Sequence, residues 1–215
     1  MRIETLFVDG ALARRLELAE AESGASCAVA LARQRPDSGA AVESIAGGRA
    51  VFTGVGSPLS QATGVGMDGE VSAEEFARLE NFFFSRGAAV NVETSPHADA
   101  SLFAHYGKNG YRATEFTNVL VRRVDASEGD VAERGVSTGA AVDEVPASEK
   151  DLWVRTVCMG FAEHYAGTDE LMEVMGLFGS TSGRRYIWRG WMEWLRAGGP
   201  CSCAMELRDC LGRAR

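Results

Sequence analysis

Apolar side chains recur at helical spacing in the first part of the chain, which predicts a helical region over residues 12–33. The residues that carry this pattern are Leu12, Leu16, Ala19 and Val29. Gly24 lies inside the region, and because glycine is a poor helix former we expect it to divide the region into two helices. A turn cluster of Pro, Asp, Ser and Gly follows at residues 36–39.

The next part of the chain predicts a β-hairpin and a third strand. Residues 40–45 and 50–54 are short apolar runs, and the Gly47-Gly48 pair between them suits a tight turn. Residues 61–67 form another β-like run. The alternation of apolar runs with glycines is typical of short strands joined by turns.

Two helices and two further strands continue the pattern. Ser72 and Glu75 have the spacing of a capping box, which predicts a helix that ends near Gly87. A strand over residues 88–93 follows. A second helix then lies between residues 99 and 110, and a long β-like run covers residues 111–124. This order predicts an α/β (α+β) fold, and the helix after Ser72 is long enough to join two parallel strands.

Composition and charge narrow the classes of function. The chain has 215 residues, of which 46% are apolar and 24% charged, as in an ordinary globular protein. The formal net charge of −8 argues against nucleic-acid binding, which depends on a basic surface, but it is compatible with an acidic cleft for an amine. No apolar run is long enough to span a membrane, and Glu4 argues against a signal peptide. We therefore expect a cytoplasmic protein without membrane or nucleic-acid partners.

The cysteines and histidines do not predict a metal site. Cys201 and Cys203 are separated by one residue, which is not the spacing of a zinc knuckle, and no second pair accompanies them. His97, His105 and His164 are scattered along the chain. We expect no bound metal, and free thiols in the cysteines.

A glycine motif lies between the predicted strand of residues 50–54 and the helix that begins after Ser72. Residues 61–66 are Gln-Ala-Thr-Gly-Val-Gly, which has the form Q-x-x-G-x-G. Glycines let a backbone approach a phosphate closely, and free amides at a helix N-terminus favour anions. With this motif the chain resembles the GNAT superfamily of acetyl-CoA-dependent N-acyltransferases, in which such a segment binds the pyrophosphate of acetyl-CoA.

Two further segments are similar to the same superfamily. Residues 106–111 match the Y-x-x-x-G-F/Y pattern that ends the last helix of the family, and residues 91–94 fit the strand between the two motifs. Residues 110–120 resemble the first half of tandem GNAT proteins, in which a degenerate N-terminal half precedes a catalytic half. The resemblance implies a GNAT-like mixed central sheet flanked by helices.

The resemblance also implies acetyl-CoA as cosubstrate. Gln61, Gly64 and Gly66 would bind its pyrophosphate, and backbone amides near Val65 would polarise the thioester carbonyl. The glycines are equally compatible with a strand that ends in a turn. The two acids between the loop and the next helix, Asp68 and Glu70, would repel a pyrophosphate.

The reaction implied is transfer of an acetyl group to a primary amine of a small molecule or peptide. Tyr106 matches the family tyrosine that protonates the departing thiolate, and Glu93, on the preceding strand, is the candidate general base. The alternatives are a tyrosine packed on its helix and a strand-end carboxylate satisfied by its neighbours.

The sequence divides into four segments. Residues 1–124 predict the GNAT-like domain, residues 125–147 a polar linker, and residues 148–183 the first helices of an incomplete second GNAT-like unit. Residues 184–215 contain three of the four tryptophans and seven arginines, with no clean period. Two explanations of this tail stay open: translation out of frame, and a native basic tail that binds a partner.

An incomplete second unit leads to an alternative function. The chain would be a truncated, non-catalytic GNAT-like scaffold half whose catalytic domain is missing. Uncovered apolar faces on the helices of residues 148–183 would also favour self-association.

Overall fold

The computed structural model describes residues 7–121, 141–161, 172, 176–177, 185–190 and 204–206. The chain divides into two compact units, residues 1–124 and 125–215. In its described part the first unit contains helices α1 (Gly10–Gln34), α2 (Ala73–Phe84) and α3 (Ala100–Asn109), and strands β1 (Ala41–Ile45), β2 (Gly48–Phe52), β3 (Ala62–Thr63) and β4 (Val92–Glu93). It is a mixed α/β unit, as the sequence predicts.

Helix α1 is one continuous helix, so the predicted division at Gly24 is wrong. Asp9 caps its N-terminus by accepting a hydrogen bond of 2.8 Å from the backbone N–H of Leu12. A Cβ on Gly24 would lie 3.7 Å from the Val51 side chain. Gly24 therefore faces β2 with room for a methyl group, and the packing of α1 on the sheet outweighs the poor helix propensity of glycine.

The buried face of α1 consists mainly of small residues. Its buried positions include Ala13, Ala21, Ala25, Ala28 and Leu31. The apolar residues that define the helical spacing in the sequence lie elsewhere; Val29, for example, is 43% exposed. Small side chains on this face bring the helix backbone close to the sheet.

The predicted hairpin is confirmed, but its turn lies one residue earlier than the Gly47-Gly48 pair, since Gly48 already belongs to β2. Strands β1 and β2 pair antiparallel, and the turn between them places Ala46 and Gly47 at positive φ values of 46° and 83°. Strand β3 pairs antiparallel with β2 and parallel with β4, which gives the sheet order β1-β2-β3-β4. Strands β3 and β4 have two residues each, fewer than the runs 61–67 and 88–93 predict.

Helix α2 joins the two parallel strands β3 and β4, and its ends follow the sequence prediction. The Ser72 hydroxyl accepts a hydrogen bond of 3.2 Å from the Glu75 N–H, and the Glu75 carboxylate accepts one of 2.9 Å from the Ser72 N–H. At the other end Gly87 has a φ of 70°, and the N–H of Ala88 donates to the carbonyl of Phe83. This pair of features is a Schellman ending.

Helix α3 is capped by Asp99 and ends at Gly110, which has a φ of 75°. The predicted strand over residues 111–124 is wrong for residues 111–121, which form no strand. Residues 122–124 lie outside the described residues. Phe116 and Leu120 are 91% and 93% exposed, so this segment contributes little to the core.

The core of the first unit lies between the sheet and helices α2 and α3. Its most completely buried large side chains are Phe83, Leu79, Leu102, Ile45, Val65 and Val71. Arg78 of α2 also donates a hydrogen bond of 2.6 Å to Glu43 of β1. The core fixes the position of the segment that follows β3, since Val65 and Val71 belong to it.

The described part of the second unit contains a three-stranded antiparallel sheet, one complete α-helix, and further helical residues at positions 172 and 176–177. Strands β5 (Ala141–Glu144), β6 (Arg185–Gly190) and β7 (Ala204–Glu206) have the order β5-β6-β7, and helix α4 is Lys150–Phe161, with Trp153 buried. Strand β5 lies in the predicted linker, and β6 and β7 lie in the segment with no clean period. None of the described helices combines the length and apolar character that crossing a bilayer requires.

Candidate functional site

The parallel pairing of β3 and β4 brings two of the predicted site residues together. Thr63 pairs with Glu93, and Ala62 with Val92. Gln61, immediately before β3, therefore reaches the carboxylate of Glu93 and donates a hydrogen bond of 3.1 Å to it. The candidate cofactor-binding residue and the candidate general base thus form one polar pair.

Glu93 is an exposed residue whose carboxyl group is partly desolvated by neighbouring atoms. Its burial raises its pKa, nearby Glu20 raises it further, and the hydrogen bond from Gln61 partly offsets these effects. Glu115, in the segment after α3, adds a smaller repulsion. A carboxylate in such a setting is a better proton acceptor than one in water.

Tyr106 is half-buried in an aromatic cluster. Its ring packs edge-on against Phe76 and Phe103, with centroid distances of 6.1 Å in both pairs, and lies 5.2 Å from the ring of Tyr111. The hydroxyl is 2.8 Å from Oγ1 of Thr94. Burial raises the pKa of the phenol, and the Thr94 contact partly offsets the rise. Tyr106 is linked to the end of β4 through Thr94, the residue after Glu93.

The loop of residues 64–66 turns sharply at both glycines. Gly64 and Gly66 have φ values of 77° and 75°, a region that side-chain-bearing residues rarely adopt. Val65, between them, is 2% exposed and belongs to the core. The glycines thus let the chain turn while Val65 stays packed.

The backbone of this loop is bonded within the fold. The N–H of Gly66 donates to the carbonyl of Ala46 at 2.9 Å, and the carbonyl of Gly66 accepts from the N–H of Asp99 at 2.9 Å. The backbone of Gly64 interacts with the carboxyl of Glu17. The amide of Gly66 therefore has a partner from elsewhere in the fold, and the backbone of Gly64 faces a carboxyl group.

Acidic side chains surround the loop and the following helix terminus. Glu17 of α1 faces Gly64, and Asp68 forms an ion pair with Arg14 that lowers the pKa of the aspartate. The first turn of α2 contains Glu74 and Glu75. The negative charge of these carboxylates repels a phosphate. The capping box of α2 already supplies hydrogen-bond partners and a negative charge at the N-terminus of that helix.

Glu17 is the residue that the sequence analysis does not identify. The carboxyl is partly buried, and its pKa is raised to about 7 by burial first, then by Glu93 and Glu20. Its Oε2 atom is buried without a hydrogen-bond partner. The pattern that could have identified it is the spacing of Ala13 and Ala21, which places Glu17 midway along the small-residue face of α1.

Comparison of the chain with family models, curated proteins and solved structures finds no match. Among the described residues, no three His, Cys, Asp or Glu side chains are grouped so that they could hold a metal ion.

Proposed function

We propose that residues 7–121 are a non-catalytic GNAT-like domain that supports an acetyltransferase domain other than itself. The order of elements supports the GNAT-like fold: two antiparallel strands, a third strand, a helix, a strand parallel to the third, and a helix that ends at Gly110. The Q-x-x-G-x-G segment contains the third strand, its two glycines follow that strand, and Tyr106 lies on the last helix of the unit.

The observation that carries the non-catalytic part of the proposal is the bonding of the loop amides. A pyrophosphate site needs N–H groups that point at the ligand and are free to donate. Here the N–H of Gly66 donates to Ala46, and Gly64 interacts with the carboxyl of Glu17. An anion would have to displace one partner and approach a second negative charge, so the loop serves as a structural turn.

Tyr106 fits the same proposal. Its hydroxyl is bonded to Thr94, and its ring is part of the packing between α2 and α3. Burial disfavours the phenolate and so raises the pKa of Tyr106, which keeps the side chain neutral. A neutral phenol suits a packed tyrosine. A domain of this kind contributes surface and stability to a partner domain and performs no chemistry.

The competing function is acetyl transfer by this domain itself, from acetyl-CoA to a primary amine. The observation that favours it is the pair of carboxyls at Glu93 and Glu17, whose raised pKa values suit the removal of a proton from an ammonium group. Under this alternative Gln61, Gly64 and Gly66 would bind the cofactor, Glu93 would act as base and Tyr106 as acid.

The test is calorimetric titration of the full chain with acetyl-CoA, with circular dichroism to show that each sample is folded. We expect no saturable binding. Saturable binding that Gly64→Asp abolishes would overturn the proposal and favour the transferase. Gly56→Asp is the matched control, because Gly56 has the same φ of 77° and a Cβ there would meet nothing within 4 Å.

A further inference from the structure

An ionisable residue lies on the face of α1 that packs against the sheet. Glu17 is four residues after Ala13 and four before Ala21, and these alanines are 5% and 2% exposed. Residues four apart share one side of a helix. The helix and the loop are in contact here, since a Cβ on Gly64 would lie 3.7 Å from the carbonyl oxygen of Glu17 and from the Leu18 side chain.

The surroundings of Glu17 are acidic. Glu20 on α1 and Glu93 on β4 both repel its charge, and Glu115, in the segment after α3, repels the charge of Glu93. The side chain of Gln61 donates to Glu93. One carboxyl oxygen of Glu17, Oε2, has no hydrogen-bond partner and is buried.

Two cations near Glu17 in the fold are paired with other carboxylates. Arg14, one turn before Glu17 on α1, pairs with Asp68, and Arg49 on β2 pairs with Glu22. Within the residues that the structure describes, no ion pair joins a cation to Glu17. The contact with the Gly64 backbone favours the ionised form of Glu17 but is the smallest of the effects on its pKa. A partly buried negative charge with no cation beside it is unfavourable, whereas a neutral carboxylic acid at the same place is tolerated.

We propose that protonation of Glu17 controls the docking of helix α1 on the β3–β4 end of the sheet. When Glu17 is neutral, the helix packs closely against residues 61–64. When Glu17 ionises, repulsion by Glu20 and Glu93 and the cost of a buried charge weaken this contact, and the first half of α1 separates more readily from the sheet.

The direction of the pH effect follows from linkage. The pKa of Glu17 is about 7 in the docked state, and a glutamate in water has a pKa of about 4.3. A group whose pKa is raised by docking gives its full stabilisation below the lower value. The stabilisation decreases as the pH rises from the lower pKa to the docked-state pKa. Above the docked-state pKa the free energy of docking no longer changes with pH. The window therefore lies between about pH 4.3 and pH 7.

The experiment is amide hydrogen exchange on the full chain at pH 5 and pH 7, with rates corrected for intrinsic exchange. We expect protection of the α1 amides near residue 17 to fall at least about fivefold from pH 5 to pH 7. In Glu17→Gln, whose carboxamide stays neutral, protection should change by less than about twofold. Glu74→Gln, on the first turn of α2, is the matched control and should behave like the wild type.

Equal protection at both pH values in the wild type would overturn the proposal, as would an unchanged pH effect in Glu17→Gln. A second measurement covers the case in which Glu17→Gln does not fold. Carbon-13 NMR titration of the Glu17 carboxyl in the wild-type chain should give a midpoint near pH 7. A midpoint near that of a glutamate in water would overturn the proposal whatever the outcome of the acetyl-CoA titration.

Discussion

The backbone of Gly48 lies directly against the backbone of Thr63. A Cβ placed on Gly48 would come within 2.5 Å of the carbonyl oxygen of Thr63 and of the amide nitrogen of Val65. Both atoms are backbone atoms of the segment that leads into the glycine loop, so neither can move as a flexible side chain would. Gly48 therefore sets the distance between β2 and the candidate site.

We expect Gly48→Ala to lower the free energy of unfolding by about 1–3 kcal/mol, because the added methyl group forces β3 away from β2. Urea unfolding followed by far-ultraviolet circular dichroism measures the change. Gly107→Ala in α3 is the control, since a Cβ there would meet nothing within 4 Å; it should be neutral or stabilise the chain by up to about 1 kcal/mol. Equal stability of the Gly48→Ala chain and the wild type would refute the close approach.

The capping box of α2 gives a second prediction. Ser72→Ala removes the hydroxyl that accepts from the Glu75 N–H and should cost about 1 kcal/mol. Ser72→Asp restores an acceptor and should recover most of the loss. Urea unfolding of the three chains tests both statements, and a Ser72→Asp chain as unstable as Ser72→Ala would show that the cap contributes little.

Local patterns were sufficient to predict the elements whose ends are determined by neighbouring residues. The hairpin turn at Gly47, the capping box at Ser72 and the helix ends near Gly87 and Gly110 all depend on interactions within a few residues. Such interactions are visible in sequence, because the chemistry of a turn or cap requires particular residues at fixed spacing.

Features that depend on distant partners were not predictable in the same way. Gly24 stays helical because β2 packs against it, and the environment of Glu17 arises from β4, whose Glu93 is far away in sequence. The spacing of the larger apolar residues of α1 also indicates a different face from the one that contacts the sheet. The contacting face consists of small residues such as Ala21 and Ala28, which a search for large apolar side chains does not detect. The run after Tyr111 has β-like composition but no partner strand among the described residues, and a strand needs a partner to form.

The packing of Leu102 gives a third prediction. This side chain is fully buried at 0% exposure, in the core that α3 shares with Phe76 and Val71. Leu102→Ala should destabilise the chain by about 2–5 kcal/mol through lost burial and the cavity left behind. The comparison variant is Phe103→Ala on the same helix, because the Phe103 side chain is 45% exposed. A smaller loss for Leu102→Ala than for Phe103→Ala in urea unfolding would contradict the assigned orientation of α3.

The contact between Tyr106 and Thr94 gives the last prediction, which separates a packed tyrosine from a catalytic acid. The two hydroxyl oxygens are 2.8 Å apart in a half-buried position. Removing the Thr94 hydroxyl takes this partner from the phenol, and removing the phenol hydroxyl leaves Thr94 with only its 3.4 Å hydrogen bond to the carbonyl of Val92. Tyr106→Phe and Thr94→Val should each destabilise the chain by about 1 kcal/mol, and the double variant by less than the sum of the two. Urea unfolding of the four chains of this double-mutant cycle gives the coupling energy, which we expect to be about 0.5–1.5 kcal/mol.

The control combines Thr94→Val with Ser72→Ala, since Ser72 shares no partner with Thr94, and the effects of these two substitutions should be additive. A coupling energy of zero between Tyr106 and Thr94 would contradict a structural role for this hydrogen bond and would favour Tyr106 as a proton donor.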